Sequence, residues 1–116
     1  MVRKETDIQA AILSCLRAMG IFAWRQNTGA VSEGKRFVRF AFPGISDILG
    51  VLPGGKFLAI EVKSDRGKLT PRQKAFLQHV ADNQGVAIVA RCVDDVIKEV
   101  NNYRDTARVS RRFDCG

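Results

Sequence analysis

Apolar side chains at Ile8, Ala11, Ile12, Cys15, Leu16 and Met19 recur at spacings of three and four. That is the period of one helix face, and it predicts a helix over 5–19 that Gly20 ends. Ile21–Gln26 is a short strand candidate. Asn27–Gly34, rich in Gly, Ser, Thr and Asn, is expected to be a loop. Lys35–Phe42 carries Phe37, Phe40 and Phe42 in imperfect alternation and is expected to be a strand. Pro43-Gly44 marks a turn. Two apolar runs, Asp47–Leu52 and Phe57–Lys63, flank Pro53-Gly54-Gly55 and predict a hairpin.

A charged loop follows over Ser64–Leu69. Thr70-Pro71-Arg72-Gln73 then sets Thr at an N-cap, proline at the first helical position and Gln three residues after the cap. A second helix should start there, bury Phe76, Leu77, Val80 and Ala81, and stop at Gly85. Val86–Ala90 is a continuous apolar run of the kind found in strands buried on both faces. Asp94 is expected to cap a last helix carrying Val96, Ile97, Val100 and Tyr103. With the short candidate Ile21–Gln26 left out, the order is α-β-β-β-α-β-α, an α/β fold with a mixed sheet flanked by helices. Residues 1–104 are expected to be one domain and 105–116 a basic, mobile C-terminal tail.

Composition narrows the class. With 46% apolar and 27% charged residues over 116 positions, the chain can bury about two thirds of its surface without staples, which excludes a disordered protein. No apolar run approaches the ~18 residues of a membrane helix, and no signal-type segment opens the chain. A soluble, intracellular, cytoplasmic protein with no membrane association is expected. Cys15, Cys92 and Cys115 are scattered, without CxxC or Cys/His spacing, so neither a disulfide framework nor a zinc site is expected.

Nineteen Lys and Arg against twelve Asp and Glu give +7, and the excess is clustered. Lys63, Arg66, Lys68, Arg72 and Lys74 lie close together with only Asp65 among them; Lys35, Arg36 and Arg39 form a second group; Arg104, Arg108, Arg111 and Arg112 form a third. Basic clusters attract phosphate, and nucleic acid is the commonest cellular polyanion. Charge alone accounts for solubility equally well.

The chemistry-bearing pattern is Glu61-Val62-Lys63 at the end of a strand, with Asp47 fourteen residues earlier. Alternation sets Glu61 and Lys63 on one face, about 6.6 Å apart along the strand, with Val62 on the other. If Pro53-Gly54-Gly55 is a three-residue loop, Leu52 pairs with Lys56 and Asp47 falls opposite Glu61, Cβ atoms about 5 Å apart. A loop one residue shorter or longer turns Asp47 to the other face. Two adjacent carboxylates repel unless a divalent cation sits between them. Glu5 lies within the arc of the first helix's apolar stripe, a costly place for an acid without a cationic partner, and Gln9 lies at the stripe's edge. Each residue also has a plainer role. Glu61 and Lys63 could be a same-face ion pair, Asp47 a turn residue, and Glu5 a first-turn acid favoured by the helix dipole. Gln73 could complete a capping box with Thr70. His79 reads as a solvated surface residue. Trp24, Phe37, Phe40 and Phe42 suit core or interface packing better than base stacking.

Asp47…Glu61-Val62-Lys63 resembles the PD-(D/E)xK nuclease motif, and the restriction-endonuclease-like core that carries it is the fold implied. Glu5 and Gln9 on the preceding helix, the phrase Gly44-Ile45-Ser46-Asp47, and Gln73 on the following helix are similar to one branch of that superfamily, the virus-type replication-repair nuclease (VRR-NUC) domain. The resemblance covers about residues 5–92. One departure is that Gly44-Ile45-Ser46 separates Pro43 from Asp47, where the motif's name has Pro beside Asp. It implies that Asp47, Glu61, the Val62 carbonyl and Glu5 hold Mg²⁺, with Mn²⁺ able to substitute. Lys63 would orient or deprotonate the attacking water or offset transition-state charge, and Gln73 would position a phosphate or water. Lys35, Arg36, Arg39, Arg66, Lys68 and Arg72 would track the DNA backbone. The stand-alone members of the family resemble Holliday-junction resolvases and act as homodimers. The expected activity is therefore metal-dependent endonucleolytic cleavage of branched DNA, without a small-molecule cofactor. The rival expectations are a nuclease for nicked, flap or single-stranded DNA, and a non-catalytic nucleic-acid-binding module.

Overall fold

The computed structural model describes residues 4–26, 30–33, 36–39 and 43–114, and side chains for 4–26 and 43–103. Helix α1 (Glu5–Ala18) is followed by strands β1 (Phe22–Arg25), β2 (Ala30–Glu33), β3 (Arg36–Arg39), β4 (Ile48–Val51) and β5 (Phe57–Val62), then α2 (Pro71–Asp82), β6 (Val86–Ala90) and α3 (Val93–Asp114). Strands β1, β4, β5 and β6 form a mixed sheet in the order β1-β4-β5-β6, antiparallel except for the parallel β5–β6 pair. Strands β2 and β3 form a separate antiparallel pair.

The sheet is covered on both faces because its central strand is apolar on both. Leu58, Ile60 and Val62 of β5 pack with Ile8, Ile12 and Leu16 of α1 and Val96 and Val100 of α3. Ala59 lies on the opposite face with Leu49 of β4 and Leu77 and Val80 of α2. That alternation also sends Glu61 to the α2 face. Burial of these side chains is the main stabilising term. Trp24 packs into the α2-side cluster, and its indole N–H donates to Gln26 Oε1 at 3.1 Å. His79 is exposed.

Several expectations need correction. Five strands precede α2, where the sequence order has three: the short candidate at Ile21–Gln26 is strand β1, and β2 occupies part of the expected loop. Strand β2 pairs with β3, Glu33 opposite Arg36, a pairing that the polar composition of the segment obscures. Strand β6, expected to be buried, lies at the edge of the sheet. Its apolar run reflects helices on both faces, α2 on one and α3 on the other, while Val89 stays 38% exposed. Ala81 is exposed, and Gln84, with φ 69°, rather than Gly85 takes the left-handed conformation after α2. Asp95 rather than Asp94 ties down the start of α3, its carboxylate accepting from Arg91 N–H at 2.9 Å. Residues 105–114, expected as a tail, continue the backbone of α3. No helix among the described residues is long and apolar enough to cross a membrane.

Candidate active site

The hairpin register decides where the acids meet. Ile48 pairs with Ile60 and Val51 with Phe57, and Leu52 N–H donates to Lys56 O at 2.8 Å. The connection is thus the three-residue loop, and the next pair outward is Asp47 opposite Glu61, on the side the sequence reading requires. Asp47 is fixed twice. Its Oδ2 accepts from Val62 N–H at 2.8 Å, and its carbonyl accepts from Gln26 N–H at 2.7 Å.

Glu61 is 1% exposed. Burial, then a hydrogen bond to the Asp47 carboxyl and the charge of Asp47, push its carboxyl up to about 9; Glu5 adds to the rise and Lys63 opposes it. Glu61 therefore holds its proton at neutral pH unless a cation offsets its charge. Glu61 Oε1 is buried without a hydrogen-bond partner among the described residues, as is Ser46 Oγ. An orphaned carboxylate oxygen carries a desolvation cost that a bound cation would offset.

Glu5 comes from the first turn of α1, on the other side of β5, and Glu5 Oε2 accepts from Ser64 N–H at 3.0 Å. Lys63 is half-buried and extends the β5–β6 ladder, its N–H donating to Ala90 O at 3.0 Å. A tight turn follows, with Gly67 N–H donating to Ser64 O at 3.0 Å. A Cβ at Gly67 would lie 3.3 Å from Glu5 Oε2, Lys63 Cδ and Ser64 Oγ alike. The turn therefore packs directly onto two of the expected site residues.

Gln73 completes a reciprocal capping box. Its Oε1 accepts from Thr70 N–H at 2.9 Å, and its own N–H donates to Thr70 Oγ1 at 3.2 Å. Its amide oxygen is thus committed to the helix start. Gln9 is half-buried, and Arg66, Lys68 and Arg72 are exposed. Lys35, Phe40 and Phe42 lie outside the described residues, and for Arg36, Phe37, Arg39, Arg104, Arg108, Arg111 and Arg112 the description extends to the backbone alone.

Sequence reasoning overlooked Gly67, and it read Gly44 and Ser46 only as part of a turn and a motif phrase, without their contacts. Ser46 is buried immediately before Asp47. Gly67 allows the turn after Lys63 to close on Glu5. Gly44, with φ +85°, brings the Asp47 loop against the N-terminus of α2, where a Cβ would meet Arg72 C at 2.5 Å. Gly44→Ala is accordingly expected to destabilise the protein by about 2–4 kcal/mol, from backbone strain and overpacking together. Urea denaturation would measure this, and a variant as stable as the parent would mean that the loop relaxes away from α2.

A divalent cation suits this donor set. Oxygens of Asp47 and Glu61 are hard ligands of the kind Mg²⁺ and Mn²⁺ take, and Glu61 Oε1 is unpartnered among the described residues. No three Asp, Glu, His or Cys side chains among the described residues form a ready metal cage by themselves. The fit is to a partial site of two carboxylates completed by backbone oxygen and water, which is how Mg²⁺ is usually held.

The model of the VRR-NUC domain matches residues 2–94 of the chain. No curated protein matches it.

Proposed function

The chain belongs to the VRR-NUC domain family and so is a nuclease of DNA; on that premise we propose that it is a Mg²⁺-dependent endonuclease, selective for branched DNA such as four-way junctions and active as a homodimer. The observation that carries this reading is the carboxyl pair of half-buried Asp47 and buried Glu61, with Lys63 two residues on, at the rim of the sheet. Asp47 and Glu61 would hold the cation, with the Val62 carbonyl and Glu5 completing the site directly or through water. Bound there, Mg²⁺ would acidify a coordinated water and offset charge on the scissile phosphate, and Mn²⁺ would serve in its place.

The chain's own residues have separable tasks. Asp47 is held by Val62 N–H and keeps a fixed direction. Glu61 gives up its proton to become a ligand, and Lys63 helps because its charge favours the ionised form of Glu61. Lys63 also either takes a proton from the attacking water or offsets phosphorane charge. Gln73 would reach a phosphate or water through its amide nitrogen. Arg66, Lys68 and Arg72, with Lys35, Arg36 and Arg39, would hold the flanking backbone.

The assembly reading has its own support. Phe22, Val51 and Phe57 are exposed and lie in one register row across β1, β4 and β5. Phe22 also packs its ring against Trp24, with centroids 5.2 Å apart. Such a row suits a second copy of the chain, and a two-fold dimer supplies matched sites for cutting two strands of a junction.

The test is cleavage of labelled duplex, nicked, flap, forked and four-way-junction DNA, with Mg²⁺, Mn²⁺ or EDTA, on protein whose mass is measured by light scattering. Cleavage only with the metals, fastest on the junction, by a particle of twice the chain mass is expected. Undiminished cleavage in EDTA would overturn the metal reading. A monomer that nicks every substrate equally would overturn the junction reading.

A further inference from the structure

Arg91 follows directly on β6. Val62 pairs with Ala90, and the Lys63 N–H reaches Ala90 O, so the first residue beyond β6 stands level with Lys63 and within reach of the turn that follows it. The Arg91 guanidinium uses this position: Nη1 donates to the Ser64 carbonyl. The N–H of that same Ser64 donates to Glu5 Oε2 at 3.0 Å. The Arg91 backbone is itself fixed, its N–H bonded to Asp95 Oδ2 at 2.9 Å from the first turn of α3. A continuous chain of contacts thus runs from α3 through Arg91 and Ser64 to Glu5 on α1.

Nothing in the family motif or in the basic clusters marks Arg91. It is exposed, so ordering its long side chain costs rotamer entropy, and a hydrogen bond to a neutral surface carbonyl returns about as much. Its net contribution to stability should be small. What the contact does fix is orientation. Together with the Gly67 N–H it holds the Ser64 carbonyl, and through the backbone torsions of that one residue it steadies the Ser64 N–H that aims the Glu5 carboxylate.

We infer that Arg91 is a positioning residue of the active centre, acting through Ser64 on Glu5. The inference rests on the metal-dependent nuclease reading above and adds to it a residue outside the Asp47…Glu61-Val62-Lys63 pattern. Groups that orient metal-binding side chains typically matter by ten- to a hundredfold in affinity, and Arg91 should fall near the lower end because it acts through one intervening residue. Lysine can make the same single hydrogen bond but lacks the rigid fork, so it should replace arginine only in part.

The experiment is calorimetric titration of Mn²⁺ into the DNA-free protein, run beside cleavage assays and thermal unfolding, on the parent, Arg91→Ala, Arg91→Lys, Glu5→Gln and the Arg91→Ala/Glu5→Gln pair. Arg91→Ala should weaken Mn²⁺ binding and lower kcat about tenfold, with little change in Tm. Arg91→Lys should recover part of both. Adding Arg91→Ala to Glu5→Gln should cost nothing further, because the arginine acts through that carboxylate. A parent that binds Mn²⁺ and cleaves DNA, with Arg91→Ala indistinguishable from it, overturns this inference alone. So does a full additional loss in the Glu5→Gln background. A parent that neither binds Mn²⁺ nor cleaves DNA overturns the nuclease reading itself, and the role of Arg91 in an active centre with it.

Discussion

Asp47→Asn and Glu61→Gln are each expected to lower DNA cleavage at least about a hundredfold while fold and DNA affinity stay near those of the parent. The structure makes both substitutions clean. Asparagine at position 47 would still offer an amide oxygen to Val62 N–H, the bond that holds Asp47 at 2.8 Å. Glutamine at position 61 has the shape and charge of the protonated acid, the form burial and Asp47 already favour there. Each change therefore removes an anionic ligand without leaving a cavity or a new buried charge. DNA affinity should persist because it rests on lysines and arginines, and losing one carboxylate makes the surface slightly more attractive to phosphate. Lys63→Met should behave similarly in cleavage, since methionine keeps the stem and discards the ammonium. Cleavage rates on junction DNA, fluorescence anisotropy for binding and circular dichroism for fold separate the effects. Parent-like cleavage by either acid variant would remove Asp47 and Glu61 from the active site.

How far this site could be read in advance depended on the range of the signal. The Asp47–Glu61 pairing was legible because Pro53-Gly54-Gly55 fixes a short loop, and loop length fixes register; the Leu52–Lys56 bond confirms it. The start of α2 was legible for the same local reason, a cap, a proline and a reciprocal Gln within four residues. Glu5 could be flagged as an acid on an apolar stripe, but its partner, the Ser64 N–H, lies 59 positions away and no periodicity encodes that. Strand β6 shows the limit differently. Apolar content reports how many faces are covered, and helices cover both faces of this edge strand, so the run Val86–Ala90 marks a covered strand without giving its place in the sheet. The capping role of Asp95 was missed because two adjacent acids compete for it, and only the path of the chain through Arg91 and Cys92 selects the second. Arg91 was invisible for a related reason. An isolated surface arginine has no sequence signature until the parallel pairing of β5 and β6 brings it level with Lys63, one residue before Ser64.

The metal-free protein should lose stability as pH rises from about 5 to 9, and Glu61 should be the cause. Its carboxyl is raised from the ordinary value of 4.5 to about 9 in the folded chain, mainly by burial and then by Asp47. Between those values the folded state holds a proton that the unfolded state has released. Unfolding therefore sheds a proton, and raising the pH favours it. The stabilisation is complete below the unfolded value and is lost as pH climbs through the folded one. A shift this large implies a decline of more than about 2 kcal/mol across the window. Asp95 runs the other way, its carboxyl held low chiefly by the Arg91 N–H, and so matters only in acid. Urea unfolding in EDTA at a series of pH values should show the fall. Glu61→Gln should flatten it, because an amide has no proton to lose, and should make the protein more stable than the parent at pH 8. Mn²⁺ added to the parent at that pH should restore stability by taking the place of the proton between the two carboxylates. A flat profile for the parent in EDTA, or an unchanged slope in Glu61→Gln, would mean that Glu61 is ionised in the folded protein and compensated by a cation already on the chain.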